Sequence, residues 1–423
     1  MDDKKKGKMP LLLIFLTVFI DLIGFGIIIP LLPSLAKTYG ADGLTVGLLL
    51  MSYSLMQFFF TPFWGRLSDK VGRRPMLLLS LSASAIGYLI WGFSGSLAML
   101  FLSRIVAGFG NANLAVAQAY IADITTPENR AKGMGLVGAA FGLGFVFGPA
   151  IGGICSSFHL APNTIGFVAA GFSLVDLILT ALFLPEPEKR SQAGHERFKP
   201  DPNYYFRTLA NPKLSLPMLI FFVSTFAFSN MEATLVLLTG KNFGFDVAQN
   251  SWMFTFIGFV MVMVQGGMIG RLSKKYGETP LITVGTALIG AGLLLTPATT
   301  NVGVLYAAMA LLAVGSGINT PSNQSLISKQ ADPGEVGGVM GVAQSVSTMG
   351  RILGPVAGGF LFDKIGAASP YFVGAACMGL AFLLSLKLPK TKPADVAVAT
   401  PASGPTSPES NQDSEREPVS SGR

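Results

Sequence analysis

Apolar runs of about 20 residues, the length that crosses a lipid bilayer, recur twelve times along the chain. They fall at roughly residues 10–35, 44–64, 75–94, 97–121, 133–155, 164–184, 214–239, 249–270, 280–297, 302–326, 337–361 and 369–388. Most connecting stretches are short and polar. One is long, from Pro185 to Pro212, and it divides the runs six and six. The pattern predicts an all-α membrane protein of twelve transmembrane helices. Its parts are a cytoplasmic N-terminus over 1–9, a six-helix bundle over 10–184, a cytoplasmic linker over 185–213 and a second six-helix bundle over 214–388. A tail over 389–423, rich in Pro, Ser and Thr, is expected to be disordered.

The two halves repeat one another. Gly65 and Gly72 recur as Gly270 and Gly277, an offset of 205, and Arg66-Leu67-Ser68 matches Arg271-Leu272-Ser273. Pro127 and Gly135 recur as Pro333 and Gly341, an offset of 206. Gly148-Pro149 with Gly152-Gly153 recurs as Gly354-Pro355 with Gly358-Gly359 at that same offset. A near-constant offset over several pairs, with matching helix count, indicates a duplication. Six helices per copy keep the polarity, so the repeats are parallel, and carriers built this way bind substrate between the halves near the midplane. The copies have diverged, because Asp69 corresponds to Lys274 and Arg73 to Glu278. The charged hairpin is therefore expected to survive intact only in the first half.

Composition sharpens this picture. Half of the 423 residues are apolar and 13% are charged, about half the charge of a soluble domain. The basic balance could suggest nucleic acid, but the positions of the bases argue otherwise. All but five of the 30 Lys and Arg fall on one side of the predicted spans. Lys37, Lys241 and Lys364 lie in loops on the other side, and Arg104 and Arg351 lie within spans. By the positive-inside rule both termini face the cytoplasm, in a cytoplasmic (inner) membrane, and no nucleic-acid partner is needed. The charged start, Asp2 to Lys8, could pass for a signal peptide. The apolar run from Leu11 to Leu35 is too long for one and lacks a cleavage site, so it is read as retained. Cys155 and Cys377 sit at ends of spans, and His159 and His195 lie in loops. No metal site, disulfide, nucleotide loop or cofactor is expected, and no enzyme activity.

Candidate chemistry falls in three places. The hairpin from Gly65 to Met76 packs five charges between two spans. Gly65, Asp69, Gly72, Arg73 and Arg74, with Asp123 at the end of the fourth span, are expected to form a cytoplasmic gate. There Asp pairs with Arg, or meets the positive N-terminus of the eleventh span, only when that side is closed. The alternative is a topology signal alone. Within the spans, Asp21 lies ~15 Å into the first helix and Arg104 at a comparable depth. A carboxylate there can take up and release a proton, and an unpaired guanidinium is costly. Arg104 is expected to meet Asp21, directly or through water, unless it caps backbone carbonyls. Glu232 and Arg351 either pair or face the cavity, and Asp176 meets lipid headgroups or a polar neighbour. Asp21, Arg104 and Glu232 are the proton-coupling candidates. Gln57, Tyr88, Asn113, Gln118, Glu232, Asn319, Asn323 and Arg351 are the expected substrate cavity. Lastly, Gly138, Gly148, Pro149, Gly152 and Gly153 should let the fifth span bend and pack closely, with rocking against the eighth as the favoured account and plain packing as the alternative.

These residues carry a family resemblance. Gly65 to Met76 resembles the loop 2–3 signature of the major facilitator superfamily, and Leu100, Arg104, Gly108 and Gly110 resemble its helix 4 signature. Gly138 through Gly148-Pro149 to Gly152-Gly153 resembles the helix 5 signature associated with antiporters. Asp21-Leu22-Ile23-Gly24-Phe25-Gly26 with Pro30 and Pro33, and Ala122-Asp123-Ile124-Thr125, look most like the drug:proton antiporters of the tetracycline-resistance type. The resemblance implies the major facilitator fold. It also implies a monomeric, proton-coupled carrier in the bilayer that exports a small amphiphilic compound by alternating access. The alternatives are a sugar or organic-acid permease of the same fold, and a membrane sensor that does not transport. One departure tells against tetracycline itself. Members that export it carry acids in helices 3 and 9 and a histidine in helix 8. Here the third span offers Ser84 and Tyr88, the ninth is apolar with small polar residues, and the eighth offers Gln265.

Overall fold

The computed structural model describes residues 8–125, 127–187, 202–332 and 335–389. The N-terminal stretch before Lys8, most of the expected linker and the tail beyond Pro389 lie outside the described residues. Every regular element described is helical. The first half holds α1 (Lys8–Thr38), α2 (Gly43–Val71), α3 (Arg73–Gly92), α4 (Leu97–Gly110), α5 (Leu114–Ile124), α6 (Pro127–Ser157) and α7 (Pro162–Phe183). A short α8 (Pro202–Ala210) precedes the second half. That half holds α9 (Pro212–Phe243), α10 (Val247–Met263), α11 (Ile269–Tyr276), α12 (Glu278–Ala298), α13 (Val302–Gln330), α14 (Val336–Lys364) and α15 (Ser369–Ser385). A 3₁₀ turn at Asn111–Asn113 joins α4 to α5, and a π turn at Val264–Met268 joins α10 to α11.

Among the described residues ten stretches are long and apolar enough to cross a bilayer, counting α4–α5 and α10–α11 as single spans. Of the twelve expected, α15 is apolar but has only 17 residues, and α14 is diluted by glycine and serine and carries Arg351. Large apolar side chains such as Leu182, Phe259, Leu294 and Leu383 stand on the outside of the bundle. In water such a surface would be a liability, and in lipid it is solvated.

Local chemistry sets the helix ends. Asp42 caps α2 through the Thr45 N–H at 2.8 Å, and the Thr45 hydroxyl and N–H hold its carboxyl below the usual carboxylate range. Asp246 and Gln249 form a reciprocal capping box on α10. Gly72 and Gly277, equivalent in the repeat, end α2 and α11 with φ of 113° and 78°, a region that side chains with a Cβ rarely adopt.

The helices pack as two groups. In the first, α1 lies against α6 and α7, α3 against α4 and α7, and α2 against α4. In the second, α9 lies against α14 and α15, and α12 against α13 and α15. The groups meet along two seams, α6 on α10 and α2 on α14. The repeated glycines make both sets of contacts. A Cβ on Gly148 would stand 2.6 Å from the Gly26 Cα of α1, and one on Gly354 would stand 2.7 Å from the Phe226 carbonyl of α9. Gly153 faces Ser251 and Trp252 of α10, while Gly359 meets the Gly43 backbone of α2. Gly152 faces Leu31 and Ile27, but Gly138 has open space around its Cα.

The α2–α14 seam ends in a bond between the groups. The Asp363 carboxylate, at the end of α14, accepts from the Gly43 N–H at 3.0 Å and the Leu44 N–H at 2.7 Å. These are free donors at the positive end of α2. At the opposite end, which carries the basic hairpins, no hydrogen bond or ion pair joins the two groups among the described residues.

Candidate functional site

Between the groups lies a cavity of about 40 Å³, room for a few waters. α1, α2, α4, α9 and α14 bring Phe25, Tyr53, Gln57, Arg104, Glu232 and Arg351 to its wall. Gln57, Glu232 and Arg351 are the expected cavity residues that line it. Tyr53 was not singled out in the sequence, although it stands one helical turn before Gln57, on the same face of α2.

Asp21 lies beside this cavity and is buried, with 2% exposure. The 3₁₀ turn that interrupts the fourth span presents two amides to it. Asn111 Nδ2 donates to Asp21 Oδ2 at 2.6 Å and Asn113 Nδ2 at 3.2 Å. Gln57 Nε2 extends the chain, donating to Asn111 Oδ1 at 3.0 Å and to its backbone carbonyl at 3.1 Å. Asp21 Oδ1 has no hydrogen-bond partner among the described residues.

No direct contact within 4.0 Å joins Arg104 to Asp21. Amides occupy the carboxylate, and the guanidinium lies over the rings of Trp91 at 5.2 Å and Tyr53 at 5.7 Å. Its Nε and Nη2 are buried without partners among the described residues. Glu232 and Arg351 both line the cavity, yet no contact within 4.0 Å joins them there. Glu232 lies well inside α9, so it is a helix residue and not part of a loop.

The other expected cavity residues lie elsewhere. Tyr88 is buried against Gly24 of α1. Asn319 and Asn323 lie inside the second group, where Asn323 Nδ2 donates to Asn319 Oδ1 at 2.8 Å and Asn319 Nδ2 donates to the Ile282 carbonyl at 3.3 Å. Gln118 is exposed. Asp176 faces polar neighbours inside the first group. Thr180 donates to it at 3.4 Å, and Thr180 in turn meets Thr17 at 3.0 Å.

At the basic end, Arg73 is the hub. Its Nη2 meets Asp69 at 2.7 Å, its Nε meets Asp123 at 2.8 Å, and its Nη1 donates to Ser68 Oγ at 2.6 Å. Glu186 accepts from the Arg73 and Arg74 N–H groups at the start of α3, and Arg74 reaches the Ala181 carbonyl. Gly65 lies by Ala115. The Asp69 side chain is half-exposed and meets only its own half. No hydrogen bond or ion pair joins these gate residues to the eleventh span among the described residues, yet Asp69 and Asp123 both pair with Arg73, so the Asp–Arg pairing expected only of a closed gate forms without that contact.

The second half corrects the expectation that its device had decayed. Glu278, the counterpart of Arg73, is buried and pairs with Lys329, the counterpart of Asp123 at offset 206. Ser273 matches Ser68 and donates to Glu278 at 3.1 Å, with Ser325 at 3.0 Å. The pair survives with its charges exchanged. Extending the repeat offset to Lys329 would have exposed it in the sequence.

Helical duplications with polar groups where the repeats meet occur in several transporter folds, and comparison with known proteins decides which one this is. The chain matches the Major Facilitator Superfamily over residues 14–237 and 217–411. It belongs to that family. Among superfamily members it is 32% identical to the tetracycline resistance protein, class D, of Salmonella ordonez, over 92% of this chain and 98% of that one. It is 29% identical to multidrug resistance protein 1 of Bacillus subtilis (strain 168), over 91% and 98%. The crystal structure of the human organic anion transporter MFSD10 superposes with a TM-score of 0.70 at 26% identity, covering 90% of this chain and 99% of that one. The protein is a multi-pass superfamily transporter with efflux proteins among its relatives.

Proposed function

We propose that this transporter exports a small amphiphilic organic compound in exchange for protons, acting as a monomer by alternating access. Asp21 carries the reading: a carboxylate at mid-span, buried, with one oxygen free and no cation within 4.0 Å among the described residues. An ionised group so placed is costly, and binding a proton removes that cost whenever the cavity faces the acidic side. Glu232, on the cavity wall, is a second carboxylate that protons and substrate can share. The efflux proteins among the relatives support the direction of transport.

The basic end faces the cytoplasm in this reading, as do both termini, by the distribution of Lys and Arg. The halves over 10–184 and 214–388 rock along the α6–α10 and α2–α14 seams. In this reading the structure, bonded at the outer end through Asp363, represents the inward-facing state; Arg73 already holds Asp69 and Asp123 in it, and the latch engages when Asp69 meets the eleventh span as the inner end closes. Inverted membrane vesicles holding an inside-acid gradient, read with a pH-quenched dye, test the function. Addition of a transported amphiphile is expected to dissipate the gradient only when the protein is present. Binding or uniport without dissipation would leave a carrier but remove the proton.

Asp363→Ala should loosen the outer end. A carboxylate at a partly exposed helix N-terminus contributes up to ~2 kcal/mol, so the outward-open to inward-open ratio should rise by up to about thirtyfold. Alkylation of Ser54→Cys by an impermeant maleimide from outside, in a protein lacking Cys155 and Cys377, measures this. An unchanged rate would mean the contact does not hold the gate.

A further inference from the structure

Asp176 is buried in α7, 1% exposed, and the proposed cycle gives it no task. Its Oδ1 accepts from the Thr180 hydroxyl at 3.4 Å, and its Oδ2 has no partner among the described residues. Thr180 meets the Thr17 hydroxyl of α1 at 3.0 Å, in a contact where either oxygen can donate. Thr17 stands four residues before Asp21, on the same face of α1 and ~6 Å nearer the basic end. Asp21 is held in a matching way, since Asn111 and Asn113 take Oδ2 and leave Oδ1 without a partner.

The two acids also lie near enough for the charge of one to act on the other. No cation lies within 4.0 Å of either among the described residues. The other titratable side chains described on the helices against α7 are Lys37 of α1, Arg73, Arg74 and Tyr88 of α3, and Cys155 of α6. None of these joins Asp21 in acting on Asp176, while Asp21 also faces the phenols of Tyr53 and Tyr88. Two like charges in one low-dielectric space repel strongly, so such a pair keeps at least one proton. A carboxyl buried for packing alone would place both oxygens on donors. Each of these two leaves one oxygen free.

We propose that Asp21 and Asp176 work as one proton-carrying pair, Asp21 exchanging the proton with the cavity and Asp176 receiving it through Thr17 and Thr180. The transfer balances at each atom. The Asp21 carboxyl releases its proton, and a side-chain rotation or one water spans the turn to Thr17. Each hydroxyl accepts one proton and passes its own on. Asp176 ends protonated and Asp21 ionised. The pair rests on the exporter reading only for what the proton drives. It adds to that reading a store inside the first group of helices, where the proton waits while the cavity holds substrate.

The test needs no substrate. In purified full-length protein, the infrared carbonyl bands of protonated carboxyls are followed against pH, each assigned by its loss in Asp21→Asn or Asp176→Asn. Wild type should lose the two bands in separate steps. Either variant should leave one band, its midpoint about one unit or more below the upper wild-type step, because the neighbouring charge is gone. Reading the coupling from both sides means that a folding defect in one variant does not remove the test. After a jump to acid, the Asp176 band should rise about tenfold or more slower in Thr17→Val. Thr17→Ser, which keeps the hydroxyl, should rise at the wild-type rate and guards against a packing defect. Three results would each overturn the pair: no titrating band lost in Asp176→Asn, midpoints indifferent to the neighbour's substitution, or a rate indifferent to the Thr17 hydroxyl. Dye-quench vesicles separate this from the exporter reading. Coupled midpoints without gradient dissipation sink proton-driven export and spare the pair, and dissipation with independent midpoints does the reverse.

Discussion

Asp21→Asn is expected to reduce proton-driven export to the level of vesicles without the protein, while the protein still inserts and folds. The substitution is nearly isosteric, and the new amide oxygen can still accept from Asn111 or Asn113, which now hold Oδ2 at 2.6 and 3.2 Å. What disappears is the one function an amide cannot copy, binding and releasing a proton in the working range. Substrate exchange down its own gradient, which needs no proton, should therefore persist. That split separates a coupling residue from a structural one, since a misfolded protein would lose both. Undiminished gradient-driven export by the variant would remove Asp21 from the mechanism and leave Glu232 as the candidate.

The second large effect concerns the exchanged pair at the basic end. Glu278→Lys places a cation against Lys329 and removes the acceptor used by Ser273 and Ser325. Breaking a buried pair costs about 3–5 kcal/mol, and because the Lys329 side chain is 55% exposed the low end is expected. Thermal unfolding in detergent should show a clear drop, with poor recovery on size exclusion. Adding Lys329→Glu recreates the polarity of Arg73 and Asp123 and should restore most of the loss. A double variant no more stable than Glu278→Lys would mean that the two pairs are not equivalent devices.

The two predictions draw differently on the sequence. Asp21 stood out at once, because a carboxylate ten residues into an apolar run has few explanations. The device at Glu278 is hidden from a match by residue identity, in which Glu278 against Arg73 reads as divergence. Exchanging both signs preserves the attraction while erasing the match. The cavity was the hardest to foresee. Asn319 and Asn323 look as available as Gln57, yet they are buried inside the second group, Asn323 donating to Asn319 and Asn319 to the Ile282 carbonyl of α12, whereas Gln57 lines the cavity and reaches Asn111 from another helix.

The membrane class, the positions of the spans, the internal duplication and the sites of close helix approach follow from composition and spacing. Each depends on local properties: run length, charge density, and glycines recurring at one offset. Which polar group meets which does not follow. A helix apolar on all sides carries no stripe to mark its inner face, so rotation about its axis is set by its neighbours. Packing placed amides on Asp21 and aromatic rings under Arg104, and left Glu232 and Arg351 facing one space. Only the assembled bundle chooses among such partners, because in a low-dielectric interior each polar group takes the nearest one that satisfies it.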